Sequence, residues 1–166
     1  GSGYLTTPTV TISSPFSGTS GTPAVANIVG ETASSGGNIN TKYISRRVTL
    51  EDGFDASDLK VIVNAYKPLG SGLHVYFKVK SDEDPEDFDK KDYVLMSQET
   101  PSSVFSLTEG DTKELVFKSA NDAITYTSSN VTYEKFKTFA IKIALTSNNA
   151  TVIPKVRDMR AIALDE

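Results

Sequence analysis

An all-β fold, an antiparallel β-sandwich of jelly-roll-like type behind a flexible N-terminal arm, is what this 166-residue chain predicts. Three observations carry that expectation. Several runs alternate apolar and polar residues with period two, which places every second side chain on one face of a strand. Clusters of Gly, Pro, Asn, Asp and Ser punctuate those runs at short intervals. No run shows the three-to-four spacing of an amphipathic helix long enough to compete.

Gly1-Ser2-Gly3 reads as a tag remnant outside the fold. Residues 4–41 are rich in Ser, Gly, Thr, Pro and Ala, and only 9–13 have strand character. So little apolar surface offsets the entropy of ordering poorly, so 4–41 reads as a mobile loop, arm or linker, with a folded part of the domain as the equal alternative, and 42–164 as the sandwich domain. Residues 43–50 read as the first strand, followed by a turn at Glu51-Asp52-Gly53. Leu59, Val61, Val63 and Ala65 then alternate with Lys60, Ile62, Asn64 and Tyr66. Leu73, Val75, Phe77 and Val79 alternate with His74, Tyr76, Lys78 and Lys80. The Pro68 and the glycines at 70 and 72 between these runs predict a hairpin.

Residues 81–92 form an acidic loop. Further strands are expected at 93–97, 104–107 and 114–118, with a brief pairing at 124–127. Residues 133–137 are the one place for a helical turn. Phe139, Ile141, Ile143 and Leu145 alternate with Ala140, Lys142 and Ala144, and residues 155–164 close the chain. Arg46, Arg47, Arg157, Asp158 and Arg160 lie in the first and last of these strands, so Asp158 is expected to pair with an arginine across the sheet where the two are neighbours.

Composition narrows the function. A net charge of −4 and a pI near 5.1, with Lys and Arg thinly spread, argue against a nucleic-acid partner, which needs clustered positive charge. No run approaches the roughly 20 apolar residues of a membrane helix, and no signal-peptide pattern is visible in the residues given. Cysteine is absent, which removes disulfides, thiolate nucleophiles and Cys-based zinc sites.

His74 is the only histidine, so any His-dependent triad has to use it, yet alternation places it mid-strand beside Tyr76 and Lys78 as a surface residue. Asp82, Asp84, Asp87 and Asp89 are the one group of oxygen donors dense enough for a calcium ion. Pro85 interrupts their spacing and the glycine of an EF-hand loop is missing, so a solvated, self-repelling loop is the stronger reading, and no other cofactor is indicated. Tyr66 and Tyr76 are expected on one face of the hairpin, away from its apolar side, where they would either stack a sugar or be half-buried by a neighbouring sheet or subunit; with His74 they are the candidate ligand residues. Two Asn-x-Thr triplets, at Asn130 and Asn149, carry little weight alone. No carboxylate pair is singled out for glycosidase chemistry, and the chain is expected not to be an enzyme.

The phrases YISRRVTL at 43–50, GFDASDLKV at 53–61, AYKP at 65–68, VYFKV at 75–79, DFD at 87–89, FAIKI at 139–143 and PKVRDMRAIAL at 154–164 carry a resemblance. Together they resemble a β-sandwich module of virion structural proteins of tailed bacteriophages, the T4-like and marine groups, in baseplate or tail-fibre-associated proteins. The resemblance covers about residues 42–164 and has no counterpart for 4–41. It implies a virion location in the phage tail and a non-enzymatic structural or attachment role. Its implied partners are other tail proteins or further copies of the chain. The alternative is a carbohydrate-binding module that recognises host surface polysaccharide. It transfers no catalytic residues.

Overall fold

The computed structural model describes residues 30–121 and 123–165. Among these residues the chain forms eleven strands: β1 Lys42–Ile44, β2 Val48–Thr49, β3 Asp58–Tyr66, β4 Ser71–Lys80, β5 Val94–Leu95, β6 Ser97–Gln98, β7 Lys113–Lys118, β8 Tyr126–Ser128, β9 Val131–Tyr133, β10 Thr138–Ser147 and β11 Lys155–Leu164. One sheet runs β1-β10-β4-β5, with β2 also on β10, and the other runs β11-β3-β7-β6. Every pairing is antiparallel. The chain crosses between these two sheets at β2 to β3, β3 to β4, β5 to β6, β7 to β10 (by way of a separate β8–β9 pair) and β10 to β11, so the two sheets form an antiparallel sandwich.

The alternating runs supply the core as period-two reasoning requires. Leu59, Val61, Val63 and Ala65 of β3 join Leu115 and Phe117 of β7 on one inner face. Leu73, Val75, Phe77 and Val79 of β4 join Phe139, Ile141 and Ile143 of β10 on the other. All are buried in one cluster, and each fully buried large aliphatic or aromatic side chain contributes about 1.5–3 kcal/mol. Met96, between β5 and β6, sits in the same cluster where the chain steps from one sheet to the other.

β3 and β4 are not a hairpin. Each is paired on both sides within its own sheet, β3 by β11 and β7, β4 by β10 and β5. Their apolar faces meet across the core, so the connection is a corner between sheets. The Ser71 amide donates to the Pro68 carbonyl at 3.1 Å, and Gly70, at φ +84°, takes the third position where a type II turn needs positive φ.

The other departures have local causes. The first strand is broken into β1 and β2 because one extra residue intrudes between Ile44↔Lys142 and Val48↔Phe139. There the Ser45 hydroxyl accepts from the Ile141 amide while the Ser45 amide donates to the Ile141 carbonyl. Residues 104–107 form a loop around Lys67, not a strand. The Lys67 ammonium donates to the carbonyls of Ser102 and Val104, and its amide to the Ser106 hydroxyl. Residues 133–137 contain no helical turn: Tyr133 ends β9 and Phe136 bridges to Ala56. The single helical turn among the described residues is a 3-10 turn at Phe88–Lys90, inside the acidic loop. The brief pairing expected at 124–127 is the β8–β9 hairpin, whose tip residues Ser129 and Asn130 both have positive φ, as a two-residue type I′ turn demands. β1 and β11 lie in different sheets, so Asp158 meets no arginine of the first strand and pairs instead with Arg160 of its own.

Candidate functional site

The outward face of the β10–β4 sheet is the most unusual surface of the molecule, because it is covered. Ala140↔Lys78, Lys142↔Tyr76 and Ala144↔His74 are cross-strand pairs on that face. Residues 30–41, assigned by composition to the arm, lie over it, as do Phe88 and Tyr93; the remainder of that arm, 4–29, lies outside the described residues. Ile39, Tyr76, Tyr93 and Ala144 form a second small apolar cluster there.

A fully buried ion pair holds this covering strap. The Lys142 ammonium lies 3.2 Å from Glu31 Oε2, donates to the Glu31 carbonyl, and donates to the Gly36 carbonyl at 3.2 Å. Its charge also stands over the Tyr76 ring at 4.1 Å and the Tyr93 ring at 5.2 Å, where the aromatic faces attract a cation. Glu31 Oε1 accepts the amides of Asn38 and Ile39, so one carboxylate closes the strap on itself and pins it to the sheet. Burial pushes the Glu31 carboxyl up, but those two amides and the Lys142 ammonium outweigh it and leave the net shift downward. Burial likewise pulls the Lys142 ammonium down, against the opposing pull of Glu31. Lys78 is buried beside it, over Phe88 and Tyr93.

Tyr76 is fully buried, and its hydroxyl has no hydrogen-bond partner among the described residues. Burial, and secondarily the Glu31 charge, push its phenol up to about 12. Here the ring acts as a cation platform and the hydroxyl adds nothing to it. Tyr66 lies on the outside of the opposite sheet, because β3 and β4 belong to different sheets. The two tyrosines therefore do not share a face, and Tyr76 is buried beneath the strap. His74 is half-buried on the Tyr76 face, 3.5 Å from the Thr146 hydroxyl; burial, then the Lys67 charge, lower its pKa. The three expected ligand residues form no common platform.

The acidic loop is organised around a lysine. Lys91 Nζ lies 2.5 Å from Asp84 Oδ2 and 2.6 Å from Glu86 Oε2, and donates to the Ser128 hydroxyl at 2.8 Å. Asp84 also accepts from the Tyr126 hydroxyl, the Ser128 hydroxyl and the Glu86 amide. Burial alone would raise the Asp84 carboxyl, yet Lys91 and these donors hold it at about 2. Asp82, Asp87 and Asp89 are exposed and do not converge with Asp84. Among the described residues no group of three His, Cys, Asp or Glu side chains is placed to hold a metal ion. At Asp84 the self-repelling, solvated loop gives way to a buried internal salt bridge.

Period two does not single out Lys142, because a lysine on the polar beat of a strand reads as solvated, nor Lys91 and Glu31, which lie in the acidic loop and in the stretch read as an arm. One signal was present: Lys142 is flanked on its own face by Ala140 and Ala144, small residues that leave room for a covering segment.

An open cleft lies elsewhere, at the corner of the sandwich that carries the β3–β4 turn. A cleft of about 440 Å³ is lined by Tyr66, Leu69, Leu107, Glu109, Ile153 and Lys155 among others. Leu107 is 91% exposed, Leu69 73% and Ile153 58%, so three large aliphatic side chains face water together. The Lys155–Glu109 ion pair stands at its rim. Fold and site together define an all-β sandwich with a strapped face and an open corner cleft that exposes aliphatic side chains. No family model, curated protein or solved structure matches the chain. Among the described residues, no helix is long and apolar enough to cross a membrane.

Proposed function

We propose that the chain is a non-enzymatic assembly or attachment module of a bacteriophage tail, in baseplate or fibre, working through protein–protein contacts. The observation that carries the contact role is the corner cleft, where Leu69, Leu107 and Ile153 stand exposed around Tyr66. Grouped exposed aliphatic side chains mark interaction sites more often than isolated ones do. The tail location rests on the resemblance of residues 42–164 to virion modules. The test is a binding titration of the full chain against purified tail proteins encoded in the same genome. Saturable binding to one of them, lost in Leu107→Asp and in Ile153→Asp with melting unchanged, supports the reading; no binding to any of them overturns it.

Carbohydrate recognition is the second reading, favoured by one feature of the same cleft. The half-buried Tyr66 ring sits beside Glu109 and Lys155, which combines a stacking surface with charged hydrogen-bonding groups. A glycan array with and without chelator tests it. Saturable binding to related glycans that Tyr66→Ala abolishes replaces the first reading, and binding lost with chelator brings calcium into the site.

A further inference from the structure

β11 is a strand of ten residues at the end of its sheet. One side pairs with β3 along its length; among the described residues nothing pairs with the other. An open strand edge presents a row of free amides and carbonyls, a template for another strand. Its side chains carry a second feature. Asp158 and Arg160 project to the outer face, opposite Asn64 and Ile62 of β3, with Met159 between them facing the core.

We propose that this edge pairs antiparallel with the β11 edge of a second copy, about a two-fold axis at Met159. This deepens the assembly-module reading and rests on it. In that register each Asp158 stands directly opposite the other copy's Arg160, so one two-fold operation creates two cross-strand ion pairs. Antiparallel strands related by a two-fold perpendicular to the sheet keep their faces, so both outer faces stay outward and both Met159 side chains stay inward. Shifting the register by one residue on each strand breaks both ion pairs. Opposite charges directly across a sheet stabilise and like charges destabilise. Both side chains are more than half exposed, and their present contacts, Arg160 with Glu114 and with Asp158 of its own strand, are surface pairs of small worth.

The same strand limits the strength of the contact. A bulge falls between Val156 and Asp158, with Arg157 as its extra residue and Lys155 just before it, devices that blunt an edge. A single bulged strand pair buries less than the roughly 1,200–2,000 Å² of a standard stable interface. The dimer is accordingly weak in isolation, and becomes effective where copies are held side by side at high local concentration.

Sedimentation of the full chain across a concentration series reads the outcome, with hydrogen exchange on β11 amides at each end of the series. The expected result is a concentration-dependent dimer with β11 protection rising with it. Asp158→Arg and Arg160→Asp each place like charges at both cross-strand positions and abolish it, while the double variant D158R/R160D restores it. Melting curves of all three variants match the parent, because neither side chain enters the core. A monomer at every concentration overturns the proposal, as does a dimer indifferent to the single variants or a double variant that stays monomeric. A chain that remains monomeric yet binds a tail protein through the corner cleft refutes this edge pairing and leaves the assembly reading standing.

Discussion

Glu31→Ala attacks the one carboxylate on which the strap depends. That group holds the amides of Asn38 and Ile39, each at 2.8 Å, and the Lys142 ammonium at 3.2 Å. Removing one partner of a buried ion pair costs about 3–5 kcal/mol, because the remaining charge stays in a poor solvent. The orphaned amide of Ile39, the buried one of the two, adds about 1–3 kcal/mol. The full sum is not expected, since a less costly response exists. The strap at 30–41 lifts, water reaches Lys142, and the loss is limited to what docking the strap contributed. Urea unfolding is therefore expected to show a loss of about 3–5 kcal/mol. Hydrogen exchange is expected to quicken at Ile39 and at Tyr93, whose amide donates to the Thr32 carbonyl across the strap. Pairing Glu31→Gln with Lys142→Met removes both charges at similar volume and is expected to recover most of the loss, as neutral replacements of buried pairs do. An alanine variant within about 0.5 kcal/mol of the parent, with Ile39 and Tyr93 still protected, would refute this account of the strap.

Three further outcomes follow from the same structure. Asp84 is held at about 2 against an ordinary 3.8, so the folded state binds fewer protons than the unfolded chain between those values. Its stabilisation, on the order of 2 kcal/mol, is fully present above the unfolded value and lost as pH falls from about 4 towards 2; Glu31, also lowered, acts in the same direction, and Asp84→Asn should flatten that part of a stability–pH curve measured by urea unfolding. Gly70→Ala puts a methyl 2.5 Å from Asn148 Oδ1 at a φ of +84°, and a loss of about 1–2 kcal/mol is expected by thermal or urea unfolding. Tyr76→Phe deletes a buried hydroxyl that has no partner among the described residues, so unfolding should show an unchanged or slightly more stable protein, where most core changes destabilise.

Period two made the inner faces of β3, β4, β7 and β10 legible, because it states which side chains share a face. It says nothing about which strand lies alongside, and β3 and β4 show the consequence. Their patterns suit a hairpin and a sheet-to-sheet corner equally, and Pro68 with Gly70 serves either. Only the global pairing, β3 with β11 and β7, and β4 with β10 and β5, separates the two cases. That misplacement carried into the site, since a platform of Tyr66, His74 and Tyr76 exists only if the hairpin does. The buried cations were hidden for a different reason. A lysine on the polar beat of a strand reads as solvated unless something covers it, and the cover for Lys142 is a Ser- and Gly-rich stretch whose composition argues against order. The acid that pins that stretch is Glu31, whose partner lies 111 positions away, with Ile39 buried beside it. Lys91 and Asp84 repeat the device at closer range, in an acidic loop whose one buried apolar side chain is Phe88. In both places a buried charge supplements one buried apolar side chain, Ile39 or Phe88, and composition alone underestimates order where a segment's main partner is a buried ion instead of a core.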